Sequence, residues 1–163
     1  MIAIRVGQGI DVHRFAALEA HRPLMLMGCE IPFDRGLDGH SDADVMLHAL
    51  MDALLGAAGL DDIGHHFPDT NPVYRGADSA RLLEHVMGDL KERGWQVVNA
   101  DVCLIGERPK IGSHRLRMRD RVAPILGIPA DALNVKATTT EQLGFTGRGE
   151  GLAAQAVVLI ERM

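Results

Sequence analysis

From Val45 to Leu55 the chain is apolar on almost every side of the helix that its spacing predicts, over residues 42 to 58. A helix without a polar face must lie inside a packed domain rather than on its surface. Yet Asp44, His48 and Asp52 recur every four residues, so they form a single polar stripe along that buried helix. Ionisable groups there must be paired or bound, because burying one without a partner costs several kcal/mol. Ser41 stands as the expected N-cap and Gly59 as the stop, and Ser41 with Asp44 resembles a capping box. Capping accounts for those two residues but leaves His48 between a satisfied core histidine and a ligand; the ligand reading is the stronger.

The rest of the chain supplies the frame. Ile2, Ile4 and Val6 alternate with smaller or charged residues, predicting a strand that runs to about His13. Residues 23 to 27 predict a second strand closed by Gly28. Asp78 caps a helix that sets Leu82, Leu83, Val86, Met87 and Leu90 on one face and stops at Gly94. A strand from Trp95 to Ile105, a helix from Ser113 to Leu126 strained at Pro124, and a short strand from Asn134 to Thr138 follow. The last strand, Leu152 to Ile160, is apolar on both faces, so it is central in a sheet covered on two sides or belongs to a subunit interface. The expectation is a single α+β domain over residues 1–163, a mixed β-sheet with helices packed on one face.

Charge narrows the function. With 17 basic and 22 acidic residues the net charge is −5, and aromatic residues are 4%. Neither an electrostatic nor a stacking platform for nucleic acid is present. Two cysteines, Cys29 and Cys103, make no disulfide framework, no signal-peptide pattern opens the chain, and no charge-free run of about 18 apolar residues occurs. A cytoplasmic protein without membrane contact is expected.

Three groups of residues carry chemistry. Asp11 and His13 alternate on a strand and so share one face, able to grip one ion. With His48 they make one carboxylate and two imidazoles, three ligands with a fourth position open, as in a catalytic zinc site, though such ligands also accept other divalent metals. The run Lys136 to Glu141, followed by glycines at 144, 147, 149 and 151, joins hydroxyls, backbone amides and a helix start in a phosphate-binding pattern. A capping box between Thr138 and Glu141, and an ion pair between Arg148 and Glu150, are plainer readings of the same residues. Between these lies the polar loop from Asp61 to Pro72, a natural place for substrate contacts. Its His65 and His66 are expected to be surface residues, since adjacent side chains rarely converge on one ion.

Asp11-x-His13, His40 to Asp44 through His48, Asp62-Ile63-Gly64 with Phe67 to Thr70, and Thr138 to Gly151 together resemble the 2-C-methyl-D-erythritol 2,4-cyclodiphosphate synthases, from about Val6 to Ile160. The resemblance implies a homotrimer with an active site at each subunit interface. There the 2-phosphate of 4-diphosphocytidyl-2-C-methyl-D-erythritol 2-phosphate would attack the β-phosphorus and expel CMP. It assigns zinc to Asp11, His13 and His48, and a second divalent ion, magnesium or manganese, to the diphosphate and Glu141. His40 and Thr139 would stabilise the transition state. Ser41, Asp62 and the loop Phe67, Pro68, Asp69, Thr70 and Asn71 would hold the methylerythritol phosphate, and Asp11, His13, His40, Ile63 and Gly64 count among the substrate contacts. Gly106, Lys110, Gly112 and the turn Thr138, Thr139, Thr140 and Glu141 of a neighbouring subunit would meet the cytidine diphosphate. Phe145 and Arg148 count among the ligand contacts, Arg148 with Glu150 facing a trimer-axis cavity able to take isoprenoid diphosphates. Asn71, Glu107 and Gln8 depart from the family's frequent Asp, Gln and His.

Two rivals use the same residues. A zinc-dependent phosphodiesterase or hydrolase would activate water and release a linear product. A non-catalytic trimeric isoprenoid-diphosphate binding protein would bind without turnover, but structural zinc sites usually close with four protein ligands.

Overall fold

The computed structural model describes residues 3–163. Six strands and five α-helices occur among them, in the order β1 (Ile4–Arg14), β2 (Leu24–Leu26), β3 (Cys29–Ile31), α1 (Val45–Ala58), α2 (Ile63–His66), α3 (Ser79–Glu92), β4 (Trp95–Ile105), α4 (Arg115–Leu126), β5 (Leu133–Thr138), α5 (Gly144–Gly147) and β6 (Gly151–Arg162). The expected start of the first strand at Ile2 lies outside the described residues.

The main sheet runs β1-β6-β4-β5. Its first three strands are antiparallel neighbours, while β4 and β5 are parallel, joined through α4. The sheet is therefore mixed, and its helices cover one face, with α1 lying across β1 and β6. Every residue from Val45 to Met51 is buried, which is where an all-round apolar helix has to be. No helix among the described residues is long and apolar enough to cross a membrane.

Close approach of α1 to β1 depends on two glycines. A Cβ on Gly7 would stand 1.9 Å from the Ala53 carbonyl oxygen, and one on Gly9 would stand 2.1 Å from that of Ala49. Gly7 and Gly9 share the inward face of β1 with Asp11 and His13, so the fit that admits the helix also presents the two polar residues to it.

The structure corrects several local expectations. Asp44, not Ser41, is the N-cap of α1, and its side chain accepts from the Leu47 amide at 3.0 Å. Ala43, at φ 57, turns the chain so that the helix begins at Val45. The second strand is one arm of a β2–β3 hairpin turned at Met27-Gly28, a separate two-stranded sheet. The turn is held by Asp44, whose carboxylate accepts from the Met27 and Gly28 amides. The fourth helix starts at Arg115 after a short 3-10 turn over residues 112–114. No capping box joins Thr138 to Glu141; the Glu141 amide donates instead to the Thr139 hydroxyl, and α5 is capped by Leu143 without a side-chain bond.

The last strand is central, but α1 covers only its inner side. Its outer face carries Ala153, Val157 and Leu159 beside Val6, Ile10 and Val12 of β1. Ile10 is 57% exposed and Val157 43% in the single chain, so this is an uncovered, largely apolar sheet face interrupted by Gln8 and Gln155.

Candidate active site

Three side chains converge where β1 meets α1. The Asp11 Oδ2 atom lies 2.8 Å from His13 Nε2 and 3.1 Å from His48 Nδ1, and the two nitrogens are 3.2 Å apart. Asp11, His13 and His48 each offer one ligand atom, all within 4.8 Å of one another. The outward ring nitrogen of His13 donates to the Asp38 carbonyl at 2.8 Å, leaving Nε2 as the lone-pair atom of the neutral ring, aimed at the cluster. Three electron-pair donors pointed at one another repel unless protons or a cation lie between them, and this donor set suits zinc or another divalent metal.

The electrostatics agree. Burial opposes ionisation of Asp11, but hydrogen bonds and charge from His13 and His48 outweigh it and hold its pKa at about 2. Burial likewise works against protonated His13, and Asp11 more than compensates, so the imidazole is raised above its ordinary value.

The other stripe residues are paired, not ligating. Asp44 is fully buried against three backbone amides; burial pushes its carboxyl up to about 7, with the amides pulling the other way. Asp52, raised mainly by burial, accepts from the Ile63 amide at 2.8 Å and ties the following loop to the helix.

A cavity of about 400 Å³ opens on the cluster. Of the expected residues it gathers Asp11, His13, His40, Ser41, His48, Ile63, Gly64, Phe67 and Asp69. His40 donates to the Asn71 carbonyl at 3.1 Å, fastening the loop over the site. Asp62 and Asn71 spend their side chains as caps, on the His65 and Val73 amides. Pro68 and Thr70 stand in the same loop outside the cavity lining. His65 is exposed, while His66 donates to the Leu60 carbonyl and faces Asp89 at 3.6 Å, so neither approaches the cluster. Sequence reasoning missed Gly39, Met51, Tyr74 and Leu82, which also line the cavity. Met51 lies one turn beyond His48 and was legible from that spacing; Leu82 read as ordinary core.

The remaining expected contacts lie elsewhere. Gly106, Lys110, Gly112, Thr138 and Thr139, with Arg115, line a second cavity of about 360 Å³ that shares no residue with the first. Glu141 is exposed at φ 53. Thr140 donates to the Leu143 carbonyl at 2.6 Å and so shapes the turn. Phe145 lines a further cavity beside Val12 and Glu150, and Arg148 pairs with Glu150 at 3.0 Å.

Residues 4–161 match the YgbB family. The 2-C-methyl-D-erythritol 2,4-cyclodiphosphate synthase of Thiobacillus denitrificans is 57% identical over 162 residues, 99% of each chain. That of Geotalea uraniireducens is 55% identical over 159 residues, 98% of this chain and 99% of its own. Among solved structures, the bifunctional IspDF of Campylobacter jejuni superposes with a TM-score of 0.94 at 41% identity; all of this chain corresponds to 43% of that one. The Plasmodium falciparum IspF, in complex with CDP, has a TM-score of 0.84 at 30% identity, covering 98% of this chain and 97% of its own.

Proposed function

Because the chain belongs to the YgbB family, we propose the following account of how its residues perform the family's reaction. The chain converts 4-diphosphocytidyl-2-C-methyl-D-erythritol 2-phosphate to 2-C-methyl-D-erythritol 2,4-cyclodiphosphate and CMP, a phosphorus–oxygen lyase step of the non-mevalonate route to isoprenoids. A bond forms between an oxygen of the 2-phosphate and the β-phosphorus. The bond from that phosphorus to the oxygen bridging to the α-phosphorus breaks, and CMP carries the electron pair away.

The observation that carries this reading is the Asp11, His13 and His48 cluster at the wall of the 400 Å³ cavity. No serine or cysteine nucleophile is needed, since the substrate brings its own attacking oxygen and the protein has only to position it and neutralise charge. Asp11, His13 and His48 would hold zinc, which when bound would supply positive charge to stabilise the phosphate oxygens. Glu141, together with the substrate's diphosphate, would hold a second divalent ion, magnesium or manganese, as the family resemblance implies. A chain of net charge −5 can take so anionic a substrate because local ions, not global charge, set the field. His40 and Thr139 steady the charge that develops on the transferring phosphate. Ser41 and the loop from Asp62 to Asn71 hold the methylerythritol phosphate.

The nucleotide is held by Gly106, Lys110, Gly112 and the Thr138–Glu141 turn of a neighbouring copy. Two features support shared sites between copies, which the family resemblance makes a homotrimer: the two sets of residues line cavities without a common member, and the outer sheet face is largely apolar and uncovered in the single chain. Residues 1–163 act as one domain in this arrangement.

Phosphorus NMR of the purified chain with substrate and magnesium tests the reading. Cyclic diphosphate plus CMP is the expected result. A linear product carrying solvent oxygen from labelled water supports the hydrolase instead, and binding without turnover supports the binding protein.

A further inference from the structure

The cluster atoms of His48 face the cavity; the opposite edge of its ring faces a hydroxyl with no contact to solvent. Ser79, the first residue of α3, is fully buried, and its Oγ lies 3.0 Å from His48 Nε2. On its other side that hydroxyl donates to Asp42 Oδ1 at 2.5 Å, and the Ser79 amide donates to Asp42 Oδ2 at 3.0 Å. Asp42 is itself anchored, its amide donating to the Ala77 carbonyl at 3.0 Å. Capping does not require this arrangement, because Asp78 is the N-cap of α3.

The direction of these bonds is fixed by what each group can do. A carboxylate only accepts, so the single proton of Ser79 is committed to Asp42 and its lone pairs are turned to His48. Ser79 can then only accept from Nε2, which favours the N–H there in the neutral ring and leaves Nδ1 bare and pointed at Asp11 Oδ2 and His13 Nε2. Ser41 also reaches Nε2, at 3.2 Å, and accepts from the Ala43 amide, but no carboxylate orients its proton.

We propose that Ser79, oriented by Asp42, is the positioning residue that selects the metal-binding tautomer and ring orientation of His48. This rests on the reading of Asp11, His13 and His48 as a cation site. Partners that orient a ligating histidine in this way typically contribute 10–100-fold to metal affinity.

Cobalt and zinc titrations against a competing chelator test it on the full chain. Ser79→Ala is expected to bind roughly 10–100-fold more weakly. Asp42→Asn is expected to weaken binding too, because the amide can donate to Ser79 and free its proton to turn toward Nε2. Both variants lose buried hydrogen bonds and so should melt somewhat lower than the wild type when stripped of metal, but the lost affinity should exceed what that destabilisation explains. In the stripped wild type, long-range nitrogen–proton NMR should find His48 protonated at Nε2, and in Ser79→Ala a mixture of tautomers. Wild-type affinity in both variants overturns the role, as does a Ser41→Ala loss equal to that of Ser79→Ala. A lowered melting temperature of stripped Asp42→Asn matching its lost affinity also overturns it. If Ser79→Ala does not fold, Asp42→Asn decides alone. A wild-type chain that takes up neither metal overturns the cation site itself, which separates the two failures.

Discussion

Gly9 and Ala49 meet with no room for a side chain between them: a Cβ on Gly9 would come within 2.1 Å of the Ala49 carbonyl oxygen. Ala49 follows His48 on α1, and Gly9 precedes Asp11 by two on β1, so this contact sets the distance across which the cluster closes. Gly9→Ala is expected to push helix and strand apart, with a stability cost of about 1–3 kcal/mol or more. The loss of metal affinity should exceed what that destabilisation explains. Thermal melts paired with zinc titration check this; wild-type affinity in a folded variant would separate the packing from the site.

Proton and cation compete for the same cluster, with opposite consequences for stability. In the metal-free chain His13 is raised above 6.5, so its contribution is full below that pH and lost as pH rises through the raised value. Asp11 is lowered from 3.8 to about 2, so its contribution is present above 3.8 and lost as pH falls through about 2. A bound divalent ion needs both groups deprotonated. The rise in melting temperature on adding zinc should therefore grow between about pH 6 and about pH 8. A gain independent of pH across that range would place the ion elsewhere.

Thr139 sits in the second cavity and its hydroxyl accepts from the Glu141 amide at 3.2 Å. Thr139→Ala should lower kcat by roughly a hundredfold, the usual scale for one lost transition-state donor. Thr139→Ser, which keeps the hydroxyl, should recover most of it. Steady-state kinetics with a size measurement check this, and an unchanged kcat removes Thr139 from the mechanism.

Val157 projects from the outer face of β6, opposite Gln8 of β1. Val157→Asp places a charge on the surface proposed to join three chains, and burying it unpaired would cost several kcal/mol. The variant should sediment as a smaller species and lose turnover, yet still bind zinc, because all three ligands belong to one chain. Sedimentation at several concentrations checks it; an intact trimer would mean the interface lies elsewhere.

Much of this arrangement was legible in the sequence because it depends on periodicity. The β4 boundaries, the cap of α3 at Asp78 and the shared face of Asp11 and His13 all follow from local spacing. The helix N-terminus was misplaced because Ser41 and Asp44 are both good caps, and only the positive φ of Ala43 decides between them. Gly7 and Gly9 were passed over, although alternating glycines on the face of Asp11 are the mark of a helix lying close. The β2–β3 hairpin was missed since its turn, Met27-Gly28, is held by Asp44 from a distant part of the chain. Such long-range bonds leave no periodic trace.

The two cavities without a common member have a genetic corollary. In the proposed assembly each chain owns half of two sites and the whole of none. A His48→Ala chain keeps a sound nucleotide half, and a Thr139→Ala chain keeps a sound cation half. Either one alone is inert or crippled, whereas every ring containing both contains one junction at which the sound halves meet. Unfolding and refolding the two together, with statistical mixing, should restore roughly a quarter of the native rate. Two defective alleles in one cell would then sustain a reaction that neither sustains by itself.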